Sequence, residues 1–166
     1  MDGKAASYRC GVLTISTGCA EGTREDRSGA LARELLAAAG FTVAMGAIVP
    51  DDALAISGML TRWTDVEDLP LIVTSGGTGL SPYDLTPEAT RTVLHREVPG
   101  MAEAMRAGTL AATPTAMLSR GVVGTRAGTL IVNLPGSPNG VRECLAVIVG
   151  VLTHAIAILR QDQTGH

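Results

Sequence analysis

Two periodicities alternate along this chain: short unbroken apolar runs, and longer stretches with apolar residues three and four positions apart. Cys10 to Ser16 (CGVLTIS) is a run of the first kind and predicts a buried strand ending in a Thr17-Gly18 turn. A polar loop, Glu21 to Arg27, leads to Asp26 or Ser28, either of which can cap a helix. That helix carries Leu31, Leu35 and Ala38 on one face and stops at Gly40, a residue suited to a helix C-terminus. Thr42 to Val49 predicts a second strand, closed by Pro50. Asp51-Asp52 opens a helix with Leu54, Ile56 and Leu60 in its apolar set, running to about Trp63. Leu69 to Thr74 is the third strand.

Beyond it, Thr86-Pro87-Glu88 reads as a cap followed by a helix-starting proline, with the helix running through about His95. Pro99-Gly100 separates this from a helix over Met101 to Ala107. Met117 to Thr125 reads as irregular or weakly extended, broken by Gly121 and Gly124. Arg126-Ala127-Gly128 predicts a tight turn into a last strand, Thr129 to Asn133. After Leu134 to Pro138 a long helix runs from about Asn139 to Leu159. Val141, Leu145, Ile148, Leu152 and Leu159 form one face, while Val147, Val149 and Val151 spread the apolarity around it. Such a helix is deeply buried or shared with another subunit.

Strands alternate with helices and no repeat or composition break interrupts them. The expectation is an α/β fold: a single domain over residues 9–160, with a mostly parallel sheet sandwiched by helices. Residues 1–8 read as a disordered N-terminus and 161–166 as a C-terminal tail. In such sheets ligands bind beyond the carboxyl ends of strands, where strand order reverses. The glycine-proline loops 75–87 and 133–138 both lie at strand ends.

Composition narrows the chemistry. With 166 residues, 46% hydrophobic but only 2% aromatic, the core must be built from Ala, Val, Leu and Ile. A net charge of −3 leaves no basic stripe for nucleic acid. Lys4 is the only lysine, and it precedes every strand, so a phosphate-loop lysine and a Schiff-base lysine are both excluded. Cys10, Cys19 and Cys144 match neither a zinc pattern nor a disulfide framework, which points to a reducing, cytoplasmic compartment. No charged start and apolar core of a signal peptide is present in the first twenty residues. Arg142, Glu143 and His154 within the most apolar segment favour a buried helix over a membrane span.

The densest candidate chemistry is Leu71-Ile72-Val73-Thr74-Ser75-Gly76-Gly77-Thr78-Gly79, followed by Leu80 to Ala89. An apolar strand empties into a glycine turn whose freed backbone N–H groups can cradle an anion. No Gly-Lys-Ser/Thr follows, and no third glycine opens the helix, so neither common nucleotide fingerprint applies. Asp84 suits an Asx turn or auxiliary cap, or a carboxylate ligand for Mg²⁺ between substrate phosphates. Asp51, at the end of the second strand, is its counterpart and is equally explained by capping. Pro135, Gly136 and Ser137 repeat the device at the last strand, with Ser137 capping a helix. Ser119-Arg120 offers a guanidinium that either neutralises phosphate or lies on the surface. His95 and His154 lie within predicted helices without a paired acid or nucleophile and read as structural.

These residues resemble the molybdopterin adenylyltransferase family, the Mog/MoaB proteins of bacteria and the related G domains of gephyrin and its plant counterpart. The pieces are Arg24-Glu25-Asp26-Arg27-Ser28-Gly29, Pro50-Asp51-Asp52, Thr74 to Ala89, Pro99 to Arg106, Ser119-Arg120-Gly121 and Thr129 to Pro138. The resemblance implies molybdenum cofactor biosynthesis by a homotrimer that binds molybdopterin and ATP. In that reaction the terminal phosphate of molybdopterin attacks the α-phosphorus of ATP, giving adenylyl-molybdopterin and pyrophosphate. It implies catalytic roles for Asp51 and Asp84 with Mg²⁺. It also implies substrate-binding roles for Ser75, Gly76, Gly77, Thr78, Gly79, Thr86, Ser119, Arg120, Pro135, Gly136 and Ser137. A molybdenum insertase is the implied downstream partner; neither nucleic acid nor membrane is. Tyr83 stands where many members carry Arg, and Ser16-Thr17 where many carry Ser-Asp. Those departures sustain an alternative of the MoaB type, a non-catalytic molybdopterin carrier or scaffold.

Overall fold

In a computed structural model that describes residues 7–162, six strands form one mixed sheet in the order β2-β1-β3-β6-β5-β4. These are β1 (Arg9–Ile15), β2 (Thr42–Val49), β3 (Leu71–Ser75), β4 (Arg96–Glu97), β5 (Val123–Arg126) and β6 (Thr129–Leu134). β2, β1, β3 and β6 pair in parallel, and β5 and β4 extend the sheet in antiparallel fashion. The helices between them are α1 (Thr17–Ala20), α2 (Arg27–Ala38), α3 (Ala53–Asp65), α4 (Thr86–Val93), α5 (Pro99–Thr109) and α6 (Pro138–Arg160).

Central strands read as unbroken apolar runs because both faces are covered. Cys10, Val12, Leu71, Val73, Leu130 and Val132 face a core closed by α2, α5 and α6. Leu13, Ile15, Ile72 and Ile131 face a second core closed by α3 and α4, centred on Trp63. A Cβ on Gly11 would sit 2.7 Å from the Trp63 ring, so one large aromatic fits a sheet otherwise packed with aliphatic residues.

Helix starts follow local chemistry in most places. Asp26 accepts from Gly29 N at the start of α2, Asp52 from Ala55 N at α3, and Ser137 from Gly140 N at α6. Thr86 departs from its expected role. Leu85 is the residue preceding α4 and makes no side-chain cap, while the Thr86 hydroxyl donates to Gly76 O at 2.8 Å. The expected Thr17-Gly18 turn is a single helical turn capped by Ser16. The helix predicted through His95 ends at Val93, because His95 N donates to Thr125 O and draws the chain into β4.

The region expected to be irregular holds a 3₁₀ turn, Pro114–Leu118, and then β5. β5 and β6 form a hairpin around Ala127, whose positive φ of 48° carries the turn. Ser7 and Tyr8, assigned from sequence to the loose terminus, are tied down. Ser7 Oγ donates to Gly40 O, and Tyr8 Oη donates to Asp162, a residue of the predicted tail, at 2.9 Å. Lys4 lies outside the described residues.

The 23 residues of α6 would reach across a bilayer by length and composition. Instead Val141, Leu145, Ile148, Leu152 and Ile156 pack into the core alongside α2 and α5. Val151 (50% exposed) and Ile158 (63% exposed) remain open to solvent on this helix.

Asn133 locks the layers together. Its Nδ2 donates to Thr74 Oγ1 at 3.0 Å and Thr90 Oγ1 at 3.1 Å, and its Oδ1 accepts from Val122 N at 3.2 Å. One buried amide therefore joins β6, β3, α4 and the segment entering β5. Asn133→Ala leaves these buried groups unpaired and is expected to cost about 3 kcal/mol of stability. A urea-unfolding midpoint with an unchanged slope would measure it.

Candidate functional site

The chain leaves β1 toward β2 on one side, and β3 then lies on the other side of β1. This reversal opens a crevice beyond the carboxyl ends of β1 and β3, the position where α/β sheets bind ligands. Ser75 to Gly79 lies in that crevice. Gly76 has φ +107°, and a Cβ there would lie 2.3 Å from Ile15 O. Gly77 has φ +69°, and its Cβ would meet Thr86 Oγ1 at 2.3 Å. Only glycine permits both the left-handed backbone and the approach.

The second loop closes on the first. Gly76 N donates to Leu134 O at 3.2 Å, and Ser75 Oγ donates to Pro135 O at 2.9 Å. A Cβ on Gly136 would stand 3.2 Å from Gly76 Cα. The two loops thus form one wall with a cavity on either side.

The first cavity, about 460 Å³, is lined by Asp51, Asp84, Ser75, Gly76, Gly77 and Gly136. Both predicted acids therefore converge on one space. Asp51 Oδ2 accepts from Thr17 N at 2.9 Å and from Thr17 Oγ1 at 3.0 Å. The same hydroxyl accepts from Asp51 N at 3.1 Å, so the carboxylate is held at a defined rotamer. Asp51 Oδ1 lies 3.5 Å from where a Gly77 Cβ would be. Across the loop, Asp84 Oδ2 accepts from Ser81 N at 3.0 Å and lies 2.9 Å from the equivalent position on Gly79. The anticipated Asx turn does not form, because Thr86 N donates to Gly77 O and the Asp84 carboxylate accepts from the preceding Ser81 N instead.

Among the described residues no group of three His, Cys, Asp or Glu could enclose a metal. Two carboxylates beside a phosphate-sized cradle do fit a hard cation such as Mg²⁺, which keeps waters and takes substrate phosphates as further ligands. Arg24, Glu25, Arg27 and Ser28 line this cavity too. Nothing about their spacing marks them as ligands; they form the polar loop before α2.

The second cavity, about 520 Å³, is lined by Thr78, Gly79, Ser119, Pro135 and Ser137, with apolar walls from Ala102, Met105 and Leu118. Arg106 and Glu143 also line it. Arg106 closes the Pro99 to Arg106 block on α5, and Glu143 lies in the first turns of α6. Cys144 forms part of the same wall, where burial pushes its thiol up to about 11. It is a neutral thiol at physiological pH.

Thr86 and Arg120 lie behind the glycine loop and not on the walls of these two cavities. Thr86 is fully buried, and its hydroxyl holds the Gly76 carbonyl. Arg120 Nε donates to Gly79 O at 2.7 Å, Nη2 donates to Asp84 O at 2.8 Å, and Nη1 pairs with Glu88. Its backbone N–H donates to Thr78 O at 2.8 Å. Arg120 therefore grips the glycine loop from behind and lines neither of these two cavities.

The Arg120 guanidinium holds the Glu88 carboxyl below its ordinary value. A depressed carboxyl contributes stability above its unfolded value and loses it as pH falls through the folded one. The clamp is therefore intact at neutral pH and weakens only in acid.

Burial also raises the Cys10 thiol to about 11, whereas Cys19 lines the polar cavity. At pH 8 a thiol titrating near 11 has roughly one thousandth of its population as thiolate. Iodoacetamide is expected to label Cys19 well before Cys10 and Cys144, an order read by peptide mass spectrometry.

The chain matches the family described as "Probable molybdopterin binding domain" over residues 11–154. It is 42% identical over 157 residues to the molybdenum cofactor synthesis protein cinnamon of Drosophila melanogaster, covering 94% of this chain and 26% of that protein. It is 37% identical over 151 residues to a molybdopterin adenylyltransferase of Helicobacter pylori, covering 90% of this chain and 86% of that one. The molybdopterin biosynthesis enzyme MoaB of Thermus thermophilus superposes with a TM-score of 0.88 at 51% identity, covering 93% of this chain and 97% of that one. The chain spans about a quarter to a half of the length of the first curated relatives it matches. With this match across nearly the whole fold, the chain belongs to the family of probable molybdopterin binding domains of molybdenum cofactor biosynthesis.

Proposed function

We propose that the protein is a Mg²⁺-dependent molybdopterin adenylyltransferase, joining the terminal phosphate of molybdopterin to the AMP portion of ATP with release of pyrophosphate. The observation that carries this reading is the convergence of Asp51, Asp84 and both glycine loops on one polar cavity at the switch point. Such a transfer needs positioned charge and backbone donors more than a side-chain nucleophile. The residues present match that need.

In this reading the Gly77 backbone N–H holds a phosphate oxygen, and Arg24 and Arg27 balance the polyphosphate charge. Thr17 keeps Asp51 in place. Arg120 and Thr86 keep the loop from shifting, so the reacting oxygen stays in line with the phosphorus it attacks. Asp51 and Asp84 would hold the cation, which when bound neutralises charge developing on the phosphates.

Pyrophosphate release in the presence of molybdopterin, ATP and Mg²⁺ tests the proposal. Asp84→Asn and Asp51→Asn are each expected to lower kcat by about two to three orders of magnitude, the scale of losing one positioned electrostatic group. No release from the intact protein would remove the catalytic reading and leave that of a molybdopterin carrier.

Self-association belongs to the same proposal, with a trimer as its form. The solvent-facing Val147, Val151 and Ile158 of α6 support it, since a helix apolar on two sides gains by burying both. Light scattering is expected to give three times the 17.0 kDa chain mass, and Val151→Glu to shift that mass toward the monomer. A cytoplasmic setting and delivery of the product to a molybdenum insertase complete the proposed role.

A further inference from the structure

Arg120 lines neither cavity of the site, but it does line a third, of about 300 Å³, together with Arg91 of α4, Glu97 of β4 and Arg106 of α5. Three arginines therefore share this space with one lining acid. Two of the three charges are met. Arg91 Nε donates to Glu97 Oε1 at 2.9 Å, and Arg120 pairs with Glu88 while its other nitrogens hold Gly79 O and Asp84 O. Arg106 is held differently. Its Nη1 donates to Gly121 O at 3.0 Å and Ser119 O at 3.3 Å, two carbonyls that orient the guanidinium without neutralising it. It forms no ion pair among the described residues, although it is only partly exposed. A cation withdrawn from water without a counter-charge is costly. α5 itself offers no relief, since it starts at this cavity with Pro99 and has neither a side-chain cap nor an acid in its first turn.

We infer that this third cavity binds a tetrahedral oxyanion of the phosphate class, held between Arg106 and Arg91 behind the glycine loop. Each of these arginines presents one complete two-donor edge without a described partner: Nε and Nη2 in Arg106, Nη1 and Nη2 in Arg91. Such an edge takes two oxygens in parallel. A carboxylate has two oxygens and satisfies one edge, whereas a tetrahedral anion has four and satisfies both. The backbone brings the two edges into range. Arg106 is tied to Gly121 O, while Glu97, which holds Arg91, precedes Val98, whose N–H donates to Val123 O at 2.8 Å. Gly121 and Val123 are two residues apart, at most about 7 Å along an extended chain. Contacts of about 2.8 Å on either side of one anion span such a gap. The inference goes beyond the proposed transfer and does not depend on it. Its consequence falls on the loop, because the two residues Arg106 holds, Ser119 and Gly121, flank Arg120, which holds Gly79 O.

Inorganic phosphate is the probe, titrated calorimetrically at constant ionic strength without ATP or Mg²⁺. Phosphate also suits the polar cavity, so the titration uses the full chain carrying Arg24→Gln and Arg27→Gln, which removes that cavity's lining cations. One equivalent is expected to bind at millimolar concentration or below, and acetate about ten-fold more weakly. Adding Arg91→Gln is expected to weaken phosphate about ten-fold, and Arg91→Lys, which keeps the charge but loses the fork, nearly as much. The Arg91 side chain is 50% exposed, so both variants are expected to melt close to their parent. Arg106→Gln is expected to match Arg91→Gln, and the Arg91 variants decide the outcome if it does not fold. Absence of phosphate binding in the parent, unchanged binding in Arg91→Gln, full retention in Arg91→Lys, or acetate binding as tightly as phosphate overturns the inference. So does a lower mass by light scattering in Arg91→Gln with phosphate binding intact, which assigns the cavity to contact with a second copy of the chain.

Discussion

Gly76 carries the constraint on which the rest of the site depends, because its missing side chain lets the end of β3 lie against the Ile15 carbonyl. The left-handed φ and the close approach exclude any L-residue with a Cβ. The same absence lets Gly136 come down on Gly76 from the other side. Three strand ends, those of β1, β3 and β6, therefore meet at backbone contact distance. A bulkier residue would push the loops apart, and the wall between the two cavities would open. The backbone cost of glycine at this seam is offset by hydrogen bonds from Thr86, Ser75 and Arg120, each reaching a carbonyl that the turn leaves exposed.

Those supporting groups show which parts of the site were legible in the chain. Asp51 and Asp84 were readable because each follows a strand or glycine turn and stands just before a helix, although neither caps it: Asp52 caps α3, and α4 has no side-chain cap. The glycines were readable because an apolar strand emptying into Gly-Gly predicts a positive-φ turn. The bracing roles of Thr86 and Arg120 were not legible because they depend on long-range contacts. Thr86 reaches back to Gly76, and Arg120 reaches back to Gly79 and Asp84. No local period encodes such contacts. The meeting of Arg106 and Glu143 on one cavity was hidden for the same reason, since each looks like an ordinary polar position on an amphipathic helix.

The parallel strands were legible for a different reason from the antiparallel edge. β1, β3 and β6 are covered on both faces, so their sequences are apolar without interruption. β4 is two residues long and β5 four, and β5 begins immediately before Gly124. A Cβ on Gly124 would lie 2.5 Å from Arg96 O, so this glycine, which looked like a break, permits the strand pairing. Pairing partners far apart in sequence decide such edges, and propensity over four residues cannot.

The two cavities divide polar and apolar work along one wall, and that division limits what each residue can do. Arg120 is close to the reacting region but holds two loop carbonyls and a carboxylate, a task suited to a planar fork of donors. A lysine at that position would concentrate its donors at one point and release part of the loop. Cys144, kept neutral by burial, adds packing surface to the apolar side without adding a nucleophile. Most of the charge lining the two cavities thus lies on the polar side, in Arg24, Glu25, Arg27, Asp51 and Asp84. The apolar side holds only Arg106 and Glu143 as charged lining residues. Because the two cavities meet along the glycine and proline loops, a substitution on α5 or α6 can reshape the apolar side without moving Asp51 or Asp84.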